Sequence, residues 1–322
     1  MIRILASFLL VVAASAAELT ELTFGIIATE STQNLKKDWD PVRADMEKAL
    51  GMPVKLFFAP DYSGVIEAMR FNKAQAGWFG NKSAIDVVDR AGGEVFCQVV
   101  DGDGNQGYNS LIIVHRDNPI NTLEELHKAG GGMTFSMGDP QSTSGTLVPG
   151  YHAFGKFGLD PFKLFKNCRA GNHESNALSV ASKVVDGSTF NTEAMFHLER
   201  KHPEKAAQLK VIWKSVLIAS DPMCVRVDLD PGVKAKLRNF MLGYGMTPEG
   251  KAKLATLKMS GFKPSDNNQL LPYRHLGALK DKSKLQADDK IPAAEKAGKI
   301  AELDKKIADL EAKMAEVAKQ AK

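Results

Sequence analysis

Between residues 22 and 100 short apolar runs alternate with longer stretches whose apolar residues recur every three or four positions, and this order leaves few folds open. Residues 22–27 read as a strand. Leu35, Trp39, Val42, Met46 and Leu50 then fall on one helical face, and residues 54–58 read as a second strand. A helix at 65–71, a short strand at 77–79, a helix at 82–90 and a strand at 95–100 complete a βαβ series, which implies an α/β fold with a mostly parallel sheet. Near Tyr108 the pattern changes: an apolar run at 111–114 leads into Asp117, Asn118 and Pro119, and Thr122 with Glu125 forms a capping box. A second alternation follows. It comprises strands at 133–137 and near Cys168, a helix at 176–183, an apolar run at 184–190, a helix after Asn191 and apolar strands at 211–218 and 223–227. Helices at 233–242 and 251–257 would return to cover the first sheet.

Roughly 260 residues between the apolar leader and the charged C-terminal tail exceed what one hydrophobic core usually holds, so two lobes with a cleft between them are expected. The expected division is residues 18–112 with 225–280 as the first lobe and 113–224 as the second. The chain would cross near 109–116 and 219–227, giving a hinge of two extended segments.

The opening segment MIRILASFLLVVAASAAE joins Arg3 to an apolar run and a small-residue end, the pattern of a cleavable signal peptide over residues 1–17. The mature protein is therefore expected to be exported and soluble, without a lipid anchor. A net charge of +4 with acidic and basic residues interspersed gives no nucleic-acid footprint. Three cysteines, Cys97, Cys168 and Cys224, are too few for a disulfide scaffold or a thiolate metal site, and no metal or cofactor is implied. An oxidising compartment permits one bridge, with Cys168 to Cys224 the expected pairing, although sequence cannot fix it.

Ligands of α/β lobes bind at loops that follow the carboxyl ends of strands. In DPQSTSGTLVP, the hydroxyls of Ser142, Thr143 and Ser144 gather around one point, with Pro140 setting the turn and Gly145 keeping bulk away. Together with unpaired backbone N–H groups they suit a tetrahedral oxyanion. A plain helix cap is the alternative, but a cap needs only one hydroxyl. The same rule selects Tyr62, Tyr108, His173, Glu193 and Asp221. His173 is either a surface histidine or a donor to a phosphoryl oxygen, and the tyrosines are either packing aromatics or lids over a small ligand. Singly, Glu193 suits a helix start and Asp221 a turn. Together on one cleft they make an acidic corner opposite the hydroxyls, which suits a zwitterion with an oxyanion at one end and an ammonium at the other. Ser144, His173 and Asp221 also contain the residue types of a hydrolase triad, but no G-x-S-x-G elbow surrounds the serine.

From about Lys280 the composition shifts to Lys, Asp, Glu and Ala. Ile300, Leu303, Ile307, Leu310, Met314 and Val317 recur at steps of three and four, so residues 281–322 are expected to carry an amphipathic helix. It would either pair with a second subunit, the favoured reading, or lie on its own domain.

DYSGVIEAMRFNKAQAGWFGN, DGNQGYNSLIIV, DPQSTSG, NTE and IASDP resemble the periplasmic phosphonate-binding proteins that serve ABC importers, over about residues 22–272. The resemblance implies a two-lobed periplasmic binding protein of type II with two crossing hinge strands and a C-terminal helical extension. It implies that Ser142, Thr143 and Ser144 hold a phosphonate with Tyr62 and His173 in support, and that Tyr108, Glu193 and Asp221 meet an aminoalkyl end. Retention of both acids favours 2-aminoethylphosphonate over phosphite, methylphosphonate or phosphate. It further implies a non-enzymatic periplasmic receptor with an inner-membrane permease as partner, and dimers formed through the C-terminal helix.

Overall fold

The computed structural model describes residues 19–320; the expected signal peptide lies outside the described residues. The first lobe opens with β1 (Leu22–Ile26), α1 (Thr32–Leu50), β2 (Val54–Phe58), α2 (Tyr62–Arg70), β3 (Ala76–Trp78), α3 (Asn81–Arg90) and β4 (Gly93–Asp101). β1 pairs in parallel with β2 and β3, as strand–helix alternation demands. α1 shows why these elements form: Ser31 Oγ accepts from the Asn34 N–H at its start, and Gly51 ends it at φ 69°. Its face of Leu35, Trp39, Val42, Met46 and Leu50 is buried in the first core.

The second lobe comprises β5 (Gly107–His115), α4 (Leu123–Ala129), β6 (Thr134–Met137), two π-wound turns (Thr143–Leu147 and Gly150–Phe154), α5 (Pro161–Leu164), β7 (Asn167–Ala170), α6 (His173–Ala181), β8 (Gly187–Asn191), α7 (Thr192–Lys201), α8 (Pro203–Ala206) and β9 (Leu209–Ala219). The chain then returns through β10 (Pro222–Arg226), α9 (Pro231–Gly243), α10 (Pro248–Thr256) and β11 (Met259–Pro264), and ends in α11 (Leu271–Gln286) and α12 (Ala293–Gln320). The two sheets have the orders β11-β4-β10-β3-β1-β2 and β7-β6-β8-β5-β9.

The first crossing differs from the expected position. The chain leaves the first sheet after Asp101 and enters the second at Gly107, so residues 109–115 belong to a strand, not to a hinge. β5 is buried along nearly its whole length between β8 and β9, and an apolar run of that kind reads equally as a linker or a central strand. The return crossing is Ser220 and Asp221. Gly107 is required where the crossings approach each other: a Cβ there would lie 1.9 Å from the Ile218 carbonyl oxygen.

α11 bridges the lobes. Arg274 pairs with Asp89 of α3, the Tyr273 hydroxyl accepts from the Ala219 N–H beside the return crossing, and the Ser283 hydroxyl donates to the Gly155 carbonyl of the second lobe. α12 folds back along α11, with Lys282 on Asp304 and His275 Nε2 3.1 Å from Glu311. Leu310 is buried and the rest of its apolar stripe is half-buried, so this stripe lies on the helix's own chain.

The expected Cys168–Cys224 bridge is not formed. Cys168 sits on β7 of the second lobe and Cys224 on β10 of the first, and all three cysteines are free. Burial pushes the Cys97 and Cys224 thiols far above the ordinary range and Cys168 to about 11, which makes them poor nucleophiles. Thiol titration in denaturant is expected to count all three as free, and adding reductant to leave the melting temperature unchanged; a lower count would restore a bridge.

Candidate ligand-binding site

One cavity of about 50 Å³ lies between the lobes, lined by Tyr62, Tyr108, Ser142, Thr143, Ser144, His173, Glu193 and Asp221. All eight residues selected from the sequence therefore face a single space. That volume suits a molecule of a few heavy atoms.

The three hydroxyl oxygens each accept from a protein N–H. Ser142 Oγ takes the Gly145 N–H at 2.9 Å, Thr143 Oγ1 the Lys82 N–H of the opposite lobe at 2.9 Å, and Ser144 Oγ the Asn191 amide at 2.9 Å. Each hydroxyl proton remains able to donate. The Thr143 and Ser144 N–H groups stand in the first turn of the π-wound segment, ahead of any carbonyl of that turn that could accept them. The cap that sequence weighed against a cradle is thus present, and it costs only Ser142 one lone pair. A Cβ at Gly145 would fall 2.8 Å from Gly138 Cα and 2.9 Å from Ser142 Oγ, so only glycine lets the turn close.

The orientation of Asn191 assigns the protons of His173. Asn191 Oδ1 accepts from the Ala194 N–H at 2.6 Å, which turns its amide nitrogen toward Ser144 and toward His173 Nε2, 3.2 Å away. His173 Nε2 is then an acceptor and Nδ1 carries the hydrogen, without a partner among the described residues. Burial lowers the His173 pKa to about 4, so the ring is neutral rather than an imidazolium. His173 bonds neither Ser144 nor Asp221 among the described residues, and Asp221 instead accepts from the Tyr108 hydroxyl at 3.0 Å; the triad geometry is not assembled.

The same cavity is lined by two acids, Asp221 at the return crossing and Glu193 in the first turn of α7. Glu193 makes no hydrogen bond among the described residues. Burial, with the charges of Asp221 and Asp101, holds its carboxyl well above the ordinary range against the opposing pull of Lys258. Burial pushes Asp221 to about 7 although the Tyr108 hydroxyl bond works the other way. Tyr62 and Tyr108 remain neutral, their phenols pushed up by burial and the nearby acids.

Sequence reading missed further lining residues, among them Trp39, Trp78, Asn191, Glu30 and His197. The indole nitrogen of Trp39 is buried without a partner among the described residues, and that of Trp78 lies near enough to Asp221 to work against the rise of its pKa. Asn191 ends β8, and the strand-end rule that selected Glu193 applies to it equally. The tryptophans were absorbed into core faces, because periodicity cannot separate a core aromatic from one bordering a cavity.

Two α/β lobes, joined by two crossings and closed on a small cavity lined by hydroxyls, amides and two buried acids, define a binding protein of the periplasmic type. The family described as "ABC transporter, phosphonate, periplasmic substrate-binding protein" matches residues 24–270. The chain is 47% identical over 282 residues to the phosphonates-binding periplasmic protein of Escherichia coli K12, covering 88% of this chain and 83% of that protein. It is 32% identical over 230 residues to a phosphate-import protein of Mycolicibacterium smegmatis, covering 68% and 70% of the two chains. The crystal structure of a binding-protein component of an ABC phosphonate transporter from Pseudomonas aeruginosa superposes with a TM-score of 0.91 at 49% identity, covering 92% of this chain and 99% of that one. The chain belongs to the periplasmic phosphonate-binding proteins of ABC transporters, a family of transport receptors. No helix among the described residues is long and apolar enough to cross a membrane.

Asp221 and Glu193 have raised pKa values when folded, so they favour the folded state below their unfolded values and lose that contribution as pH rises through about 7 for Asp221. His173 and His197, lowered to about 4, work in the opposite sense over the same range. Comparison with a variant isolates the acid: without ligand, the melting temperature of Asp221→Asn is expected to rise relative to the parent between pH 5 and pH 8. A difference independent of pH would mean that Asp221 titrates normally.

Proposed function

We propose that the protein binds an aminoalkylphosphonate, such as 2-aminoethylphosphonate, and hands it to the inner-membrane permease of an ABC importer without turning it over. The observation that carries this reading is the cavity lined both by hydroxyl and amide donors around Ser142–Ser144 and by the Glu193–Asp221 pair. The phosphonate would receive the hydroxyl protons of Ser142, Thr143 and Ser144, with the His173 N–H and Tyr62 in support. An ammonium between Glu193 and Asp221 would supply the positive charge that their burial demands. It would also displace the proton that the pair otherwise retains.

A second reading, an amine-free oxyanion such as phosphate, phosphite or methylphosphonate, draws support from Asp221, whose protonated form could donate to a phosphoryl oxygen, and from the relative named for phosphate import. Calorimetric titration separates the two. Ser142→Ala and Thr143→Ala are expected to weaken every phosphonate by about ten- to a hundredfold, the range of a hydrogen bond to a charged group. Asp221→Asn and Glu193→Gln are expected to weaken only amine-bearing ligands. Equal losses across both ligand sets would reject the division of labour.

The expected dimer would form by exchange of α12 between two copies, since its contacts with α11 can be made equally well in trans. Sedimentation of the mature protein is expected to show a dimer; a monomer at all concentrations would leave α12 as a cover for its own chain.

A further inference from the structure

Along one rim of the cleft the lobes are joined by contacts that touch no part of the cradle or of the Glu193–Asp221 pair. Lys201, the last residue of α7 in the second lobe, bonds Glu30 and, at 2.8 Å, Asp38 of the first lobe. Glu174 of α6 accepts from the Ser31 N–H at 2.7 Å and from the Asn34 amide at 2.6 Å. Glu30 is only 8% exposed, so its charge without Lys201 would be buried and unpaired in the closed form. Glu30 and Asp38 both border the ligand cavity, and Glu30, Ala194 and His197 line it and also line an adjoining groove bordered by Lys201, Glu174 and His202. They form the partition between the cavity and that groove. Glu30, Asp38 and His197 have the donor types of a metal cluster, but Lys201 already supplies the counter-charge.

We propose that Lys201 is the latch of the closed cleft: by bridging Glu30 and Asp38 it holds shut the partition between cavity and groove, and so sets how long a ligand stays without selecting which ligand enters. The bridge exists only when the lobes are together, so it adds to the closed population whatever the cavity holds. Its removal lowers the apparent affinity of every ligand by one common factor. The effect falls on dissociation, as expected for truncating one partner of a buried charge pair. Lys201 touches no ligand and is a positioning residue.

Stopped-flow binding on the mature protein tests this with 2-aminoethylphosphonate, methylphosphonate and inorganic phosphate, using whichever of them the parent binds. Lys201→Met is expected to raise the dissociation rate about tenfold or more, by the same factor for each ligand, with the association rate within about twofold of the parent. Lys201→Arg, which keeps the charge, should restore slow release. An unchanged dissociation rate in Lys201→Met, or a loss confined to amine-bearing ligands, would overturn the proposal. Lys201→Gln, which keeps much of the side-chain length without its charge, is expected to accelerate release similarly and serves if Lys201→Met does not fold; unchanged release in it would also overturn the latch. The readout is a ratio to the parent for a ligand the parent binds, so failure of the aminoalkylphosphonate reading would appear separately, as a different set of ligands bound.

Discussion

Two carboxyl groups with too little positive charge beside them govern this molecule. Taking a carboxylate out of water costs several kcal/mol unless a cation or a set of hydrogen bonds replaces the lost hydration. Asp221 has the Tyr108 hydroxyl and the nearby Trp78 indole, and Glu193 has only the field of Lys258, which is itself held by Asp103. The closed cleft therefore keeps a proton in that corner or takes a cation into it. The raised pKa values of both acids follow first from this burial between the lobes.

The hydroxyls that line the same cavity are held in an ordered set. Each hydroxyl oxygen is occupied by a protein N–H, one from its own turn, one from the facing lobe and one from Asn191. The oxygens are thereby fixed and only the protons are left to point inward, so little reorganisation remains when an anion arrives. Asn191 takes part twice, since its carbonyl caps α7 while its amide orders both Ser144 and His173. The cap made by Ser142 and the ordering of Ser144 and His173 thus belong to one network of side chains lining the cavity.

Much of this was legible before any coordinates because local rules converged. Strand–helix alternation placed β1 to β4, and the rule that ligands meet the carboxyl ends of strands picked out residues as far apart as Tyr62 and Asp221, which line one cavity. What escaped depends on partners distant in sequence. Trp39 and Trp78 obey the same periodicity whether their far edge meets a side chain or a cavity. Glu30, Asp38 and Lys201 are ordinary surface charges until the lobes close on them. The first crossing was misplaced because β5 is apolar enough to be buried on both faces, and its boundary at Gly107 is set by a close approach to Ile218 that no local pattern encodes. β11, broken by Gly261, and α11, whose polar stretch blends into the tail, left signals too weak to separate from their surroundings.

α11 anchors to α3 at one end and to the Gly155 carbonyl at the other, with α12 riding along it. A helix fastened to two bodies that move apart cannot stay still with respect to both. Any parting of the lobes would have to displace this hairpin against at least one of them. A dye attached there would convert occupancy into an optical signal while leaving the pocket chemically untouched, making the C-terminal hairpin a natural place to build a reagentless sensor.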